Sequence, residues 1–158
     1  MSTKFLTTSS FQTQKIGKEM AKEVLRAKLG SQAKVFALVG DLGSGKTTFL
    51  QGFAKGLGIK ETVLSPTFII MRSLKITGRK NFTLGKFSNF YHVDCYRLKS
   101  SKDIISLGLD RILADPKNIV AIEWSTRIEK ILPPNTIKIR FKFIDFAKRL
   151  IRFNRKLF

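Results

Sequence analysis

Apolar residues recur along this chain with two different spacings, and the changes of spacing mark its elements. Lys4 to Thr7 reads as a short opening strand. Ser9, followed three residues later by Gln12, resembles a capping box and opens a helix to about Leu29, with Gly30 as its stop. Ile16, Met20, Val24 and Ala27 share one face of that helix, which is expected to pack on a sheet. Val35 to Val39 is apolar without alternation, the pattern of a strand buried on both faces. A second helix is predicted from Thr48 to about Lys55, ended by Gly56-Leu57-Gly58. Phe68 to Ile76 is strand-like, Thr77-Gly78-Arg79-Lys80 reads as a turn, and Phe87 to Asp94 returns as a strand, forming a hairpin with a basic tip. Ser100 or Ser101 caps a helical stretch to Leu113, interrupted near Gly108, and Asp115-Pro116 turns the chain. Ile119 to Ile122 is a second all-apolar strand and ends on Glu123-Trp124. Ser125 to Ile131 is a short helix stopped by Pro133-Pro134. Finally Ile137, Ile139, Phe141 and Phe143 alternate with Lys138, Arg140 and Lys142, a strand with one basic face, and Leu150 to Phe153 is expected to pair with it.

Composition changes this picture in one respect. Thirty Lys and Arg against eleven Asp and Glu give a formal net charge of +19, a field that attracts polyanions, with nucleic acid the obvious class. Eight of the basic residues and a single acid, Asp145, lie from Lys138 onward. The 158 residues fit one domain, expected over 1–158. No long apolar run suggests a membrane span or a secretory leader, so a cytoplasmic protein is expected. One cysteine, Cys95, allows no intrachain disulfide and reads as a small core residue.

The chemistry concentrates in Gly40-Asp41-Leu42-Gly43-Ser44-Gly45-Lys46-Thr47-Thr48, which fills the phosphate-loop template G-x-x-x-x-G-K-[ST] between a buried strand and a helix. Its glycines free consecutive N–H groups to point at phosphate oxygens, and the following helix adds its positive end. Asp41 through Thr48 are the expected nucleotide-binding residues, with Lys46 on the outer phosphates and the Thr47 hydroxyl on a magnesium ion. Such a site needs an acid at the end of a neighbouring buried strand. Glu123 and Asp94 both qualify.

The phosphate loop, then Ser65-Pro66-Thr67-Phe68, His92-Val93-Asp94-Cys95-Tyr96-Arg97-Leu98, Leu107-Gly108-Leu109-Asp110 and Ile122-Glu123-Trp124 resemble, in content and order, the TsaE family, also called YjeE. The resemblance implies an α/β fold: one P-loop NTPase domain, its compact, partly parallel sheet flanked by helices and an antiparallel hairpin. It implies a slow magnesium-dependent ATPase acting with TsaB and TsaD in forming threonylcarbamoyladenosine in tRNA, without being the transferase itself. ATP and Mg2+ would be the cofactors, and tRNA a partner directly or through the complex. Thr47 and Glu123 would hold the metal, Asp94 would be a second acid for hydrolysis, and Thr67 would belong to a switch-like segment near the γ-phosphate. The chain departs from the family where Ser125-Thr126 replaces the usual Pro-Glu, and in a longer, more basic stretch from Met71 to Asn89.

Other readings stand beside this one. A nonenzymatic module, whose nucleotide only fixes an interface, would tolerate loss of Asp94 or Glu123; a small-molecule kinase would need an acceptor pocket and an Arg-bearing lid. No Asn-Lys-x-Asp guanine motif is present. His92 shares a strand face with Asp94 and could orient it, although a packed histidine is the plainer reading. Arg97 could meet phosphate, a partner or the next helix. The tyrosines and phenylalanines read mostly as core.

Overall fold

The structure, a computed structural model, describes residues 3–65, 68–77 and 87–155. A seven-stranded sheet of order β1-β7-β6-β2-β5-β4-β3 is built from Thr3–Thr7 (β1), Lys34–Val39 (β2), Met71–Lys75 (β3), Asn89–Asp94 (β4), Asn118–Glu123 (β5), Ile137–Phe143 (β6) and Arg149–Phe153 (β7). The helices are Ser10–Arg26 (α1), Lys46–Gly56 (α2), Ser101–Ile105 (α3) and Leu109–Ala114 (α4), and Ser125–Ile131 is a 3₁₀ segment. Strands β6, β2, β5 and β4 run parallel, whereas β3, β7 and β1 are added antiparallel at the edges. Among the described residues no helix is long and apolar enough to cross a membrane.

The all-apolar runs lie where helices cover both faces. Phe36, Leu38, Ile119 and Ala121 face one core with residues of α1 and α2, while Val35, Val120 and Ile122 face a second with residues of α3, α4 and the 3₁₀ segment. At full burial each large aliphatic or aromatic side chain contributes about 1.5–3 kcal/mol, so two-sided strands anchor the sheet. The parallel centre places the carboxyl ends of β2, β5, β4 and β6 along one edge, which is where α/β sheets hold their ligands.

Helix α1 begins as expected: the Ser9 hydroxyl accepts from the Gln12 N–H at 3.2 Å, and the Gln12 amide oxygen accepts from the Thr8 N–H at 2.8 Å. It ends at Arg26, short of Leu29, because Ala27 leaves helical geometry with ψ 149°. It packs on the sheet as expected, with Met20 and Val24 in the same core as the strands, and its backbone comes closest to α2. A Cβ on Gly52 would lie 1.9 Å from the Gln14 carbonyl oxygen, one on Gly17 2.2 Å from that of Phe49, and one on Gly56 2.6 Å from Ala21 Cβ. The two backbones touch, which only glycine permits. Gly56 ends α2 beside Ala21, and Leu25 and Leu29 beyond it pack against the same core, Leu29 from outside the helix.

Three more expectations shift. Helix α2 starts at Lys46, two residues earlier than expected, because Gly45 already serves as its N-cap. The strand expected from Phe68 begins only at Met71: Phe68 and Ile69 form an exposed turn, and Ile70 adopts φ 59°, which breaks the extended run. Gly78, Arg79 and Lys80 of the expected turn lie outside the described residues, but the antiparallel pairing of β3 with β4 is present. Downstream, Ser100 and Asp103 form a capping box for α3, and Gly108 separates α3 from α4.

Candidate functional site

Strand β2 ends at Val39 and the loop beyond it turns back on itself into α2. Gly45, at φ 100°, caps α2 in a conformation open to glycine, and no side chain caps the helix start. A Cβ on Gly40 would sit 2.5 Å from the Phe141 carbonyl oxygen. The buried Lys46 ammonium folds into this loop and donates to the carbonyl oxygens of Gly40 at 2.7 Å and Asp41 at 2.9 Å. Burial holds its pKa below the ordinary lysine value, against the pull of Glu123, Asp94 and Asp41. The buried Ser44 hydroxyl has no hydrogen-bond partner among the described residues. An uncapped helix start, a cationic side chain spent on backbone carbonyls and an unsatisfied buried hydroxyl are the marks of a cradle suited to phosphate oxygens.

Both candidate acids stand beside it. Asp94 and Glu123 are register partners at the ends of parallel β4 and β5, each 4% exposed. The Ser65 hydroxyl donates to Asp94 Oδ2 at 3.0 Å and the Tyr96 N–H to Oδ1 at 2.9 Å. Glu123 Oε1 lies 2.8 Å from His92 Nε2, and with Glu123 ionised the imidazole must carry its proton there. His92 therefore orients Glu123 and not Asp94. The reason is sheet geometry: His92 lies two residues before Asp94 on β4, diagonally across from Glu123 on β5. Among the described residues no three of His, Cys, Asp and Glu gather as a metal cage. A hydroxyl, one or two carboxylates and phosphate oxygens are the donors that hold magnesium, so this set fits that ion.

A cavity of about 590 Å³ joins these groups, lined by Leu42, Gly43, Gly45, Lys46, Thr47, Thr48, Asp94 and Glu123 among the expected site residues. Asp41 and Ser44 belong to the loop without lining the cavity, and Thr67, with Pro66, lies outside the described residues. Trp124, in left-handed geometry with φ 55°, sets its ring 5.0 Å from that of Tyr96 and 5.3 Å from the Lys46 ammonium. Arg97 stacks on the exposed Phe68 ring at 4.8 Å. Cys95 lies in the core, its thiol pushed up to about 12 chiefly by burial and then by Asp94, so it is no nucleophile at neutral pH.

The cavity is also lined by residues that sequence reasoning missed: Ser9, Ser10 and Thr13 at the start of α1, and Phe146, Ala147 and Arg149 at the β6–β7 turn. Arg149 Nε donates to the Gly43 carbonyl oxygen at 3.2 Å, and its guanidinium lies 4.5 Å from the Phe143 ring centre. Phe146 is 99% exposed, so it and Phe143, Phe68, Phe11 and the half-exposed Tyr96 depart from the expected core role. An aromatic inside the polar turn Asp145-Phe146-Ala147-Lys148 was the one local signal.

The profile of the family described as threonylcarbamoyl adenosine biosynthesis protein TsaE matches residues 7–151. A Rickettsia felis protein named tRNA threonylcarbamoyladenosine biosynthesis protein TsaE is 38% identical over 117 residues, 73% of this chain and 62% of that protein. The Bacillus subtilis protein of the same name is 37% identical over 129 residues, covering 82% of this chain and 74% of its own length. A solved structure described as the crystal structure of Bacillus subtilis YdiB superposes with a TM-score of 0.70 at 31% identity, over 97% of this chain and 84% of that one.

Proposed function

The chain belongs to the TsaE family, and on that premise we propose that it is a cytoplasmic, magnesium-dependent ATP-binding protein with weak ATPase activity that serves tRNA threonylcarbamoyladenosine formation. The observation that carries this reading is the register pairing of Asp94 with Glu123 beside the phosphate loop, around one cavity. In this assignment the loop N–H groups and Lys46 hold the phosphates, and Thr47 and Glu123 hold the metal. Asp94, fixed by Ser65 and the Tyr96 amide, is placed to orient a water or accept its proton. Magnesium-ATP supplies a phosphoanhydride activated by Lewis-acid charge. Since the acids lie on the β5–β4 side of β2, the nucleoside belongs on the opposite, β6–β7 side, between the start of α1 and the β6–β7 turn, where Phe146 offers a ring to the base.

Action with TsaB and TsaD is part of the same proposal. Leu42, Leu64, Phe68 and Ile69 are all more than 60% exposed on the phosphate loop and the segment leading to β3. A protein partner would bury them, and co-purification with TsaB and TsaD should require ATP.

Trp124 is the sole tryptophan, so intrinsic fluorescence tests the site directly. Magnesium-ATP should change its intensity or wavelength saturably, and Lys46→Ala or Thr47→Ala should abolish the response. Glu123→Gln and Asp94→Asn should each cut hydrolysis tenfold or more, about 1.4 kcal/mol. A flat signal in protein that calorimetry shows to bind ATP would remove Glu123-Trp124 from the phosphates. Hydrolysis surviving in both acid variants would remove these acids from the chemistry, whereas ATP-dependent assembly with TsaB and TsaD surviving in both without hydrolysis would leave the nonenzymatic module.

A further inference from the structure

The sheet has a face that neither core uses. Along β1, β7 and β6, Phe5, Ile151, Phe153, Ile137, Ile139 and Phe141 turn toward α1 and α2. The alternate positions turn the other way, beyond the layer formed by α3, α4 and the 3₁₀ segment, and Lys4, Arg140, Lys142 and Arg152 are exposed there. Register aligns them: Lys4 pairs with Arg152 and Arg152 with Arg140, so three cations stand in one row straight across three strands. Among the described residues no carboxylate forms an ion pair with any of the three. Glu129 reaches this face from the 3₁₀ segment and is held by Lys138, whose hydrogen bond keeps its carboxyl below the usual range, with a smaller pull from Arg140.

Like charges directly opposite one another destabilise a sheet. Glu129 offsets the Arg140 end of the row only in part, so the row works against the fold unless a further anion neutralises it. Adjacent strands lie about 4.8 Å apart, so the three cations form one compact row of positive charge. Among the described residues the face carries no aromatic side chain on which an unstacked base could lie, and their one exposed large apolar residue there, Leu6, is little to insert into a bilayer. A charge row without stacking rings suits the backbone of a folded RNA, met through its phosphates and shape.

We propose that the outer face of β1, β7 and β6 binds the phosphate backbone of a structured RNA through Lys4, Arg152 and Arg140, with Lys142 beside the row. It rests on the functional reading above only in choosing tRNA as the RNA. The face is separate from the nucleotide cavity but adjoins it, because Arg140 is the register partner of Val39, the last residue before the phosphate loop.

The test uses the full chain and a fluorescently labelled, unmodified transcribed tRNA, with affinity measured across a series of salt concentrations. The Lys4→Glu, Arg140→Glu, Arg152→Glu triple variant should weaken binding at least tenfold near 0.1 M salt and lower the salt slope by about two or more, since each lost phosphate contact removes nearly one. A second triple variant, Lys60→Glu, Lys102→Glu and Lys117→Glu, carries the same change of charge at exposed sites elsewhere and should keep the wild-type slope. Both variants should retain the circular dichroism spectrum and the Trp124 response to magnesium-ATP, so loss of RNA binding is read independently of the nucleotide site. Equal losses in the two variants would reduce the effect to the general field of the protein and overturn the proposal, as would unchanged tRNA binding in the first. Loss of binding to phosphatidylserine vesicles without loss of tRNA binding would assign the face to a membrane surface instead.

Discussion

His92 shows how much one buried side chain can govern. It is 1% exposed, its Nε2 meets Glu123 at 2.8 Å, and its Nδ1 has no partner among the described residues. Removing the ring leaves the Glu123 carboxylate without that donor, and partners of a metal-holding carboxylate matter by about 10–100-fold in metal affinity. His92→Ala should therefore raise the magnesium concentration needed for half-maximal hydrolysis about tenfold, while His92→Gln, which keeps a donor, should recover part of the loss. A purely structural histidine would lower the melting temperature in both variants and leave the magnesium dependence alone.

At the scale of elements, the contact of α1 with α2 sets the width of the cavity, because Ser9, Ser10 and Thr13 line it from one helix and Lys46, Thr47 and Thr48 from the other. That contact depends on missing Cβ atoms. Gly52→Ala would place a methyl group 1.9 Å from the Gln14 carbonyl oxygen, so the helices must part. The expected cost is about 1–3 kcal/mol, read as a lower urea midpoint, and nucleotide affinity should fall with it. Gly30→Ala, whose nearest neighbour outside its adjoining residues is 3.8 Å away, should change neither. If both glycine variants behaved alike, the close approach would not be what holds the site open.

For the whole molecule, a net charge of +19 means self-repulsion in the folded state. Four of the five ion pairs among the described residues join exposed or half-exposed side chains, and such pairs contribute little. Stability should consequently rise with ionic strength. Melting temperature should increase by several degrees between about 0.01 M and 0.3 M sodium chloride, as the Debye length shrinks from about 30 Å to well under 10 Å. A melting temperature indifferent to salt would mean that these charges are already too well separated to repel.

What the sequence by itself determined is whatever contiguous residues decide. The phosphate loop, the two-sided strands β2 and β5, the Ser9 and Ser100 caps and the break at Gly108 were legible because their causes lie within a few residues: glycine geometry, hydrophobic period and local hydrogen bonds. Both acids were legible too, as carboxylates that close apolar strands. The tertiary structure decided what depends on register and on groups distant along the chain. His92 finds Glu123 31 residues away, and Arg149 reaches Gly43 across 106. Gly17 and Gly52 carried no signal in the sequence, and Gly56 only that of a helix stop, until the backbones met, and the basic alternation in β6 became a row of cations only once β7 and β1 supplied its neighbours. Hydrogen bonds and like-charge contacts act over a few ångströms in space, and only folding determines which residues come within that reach.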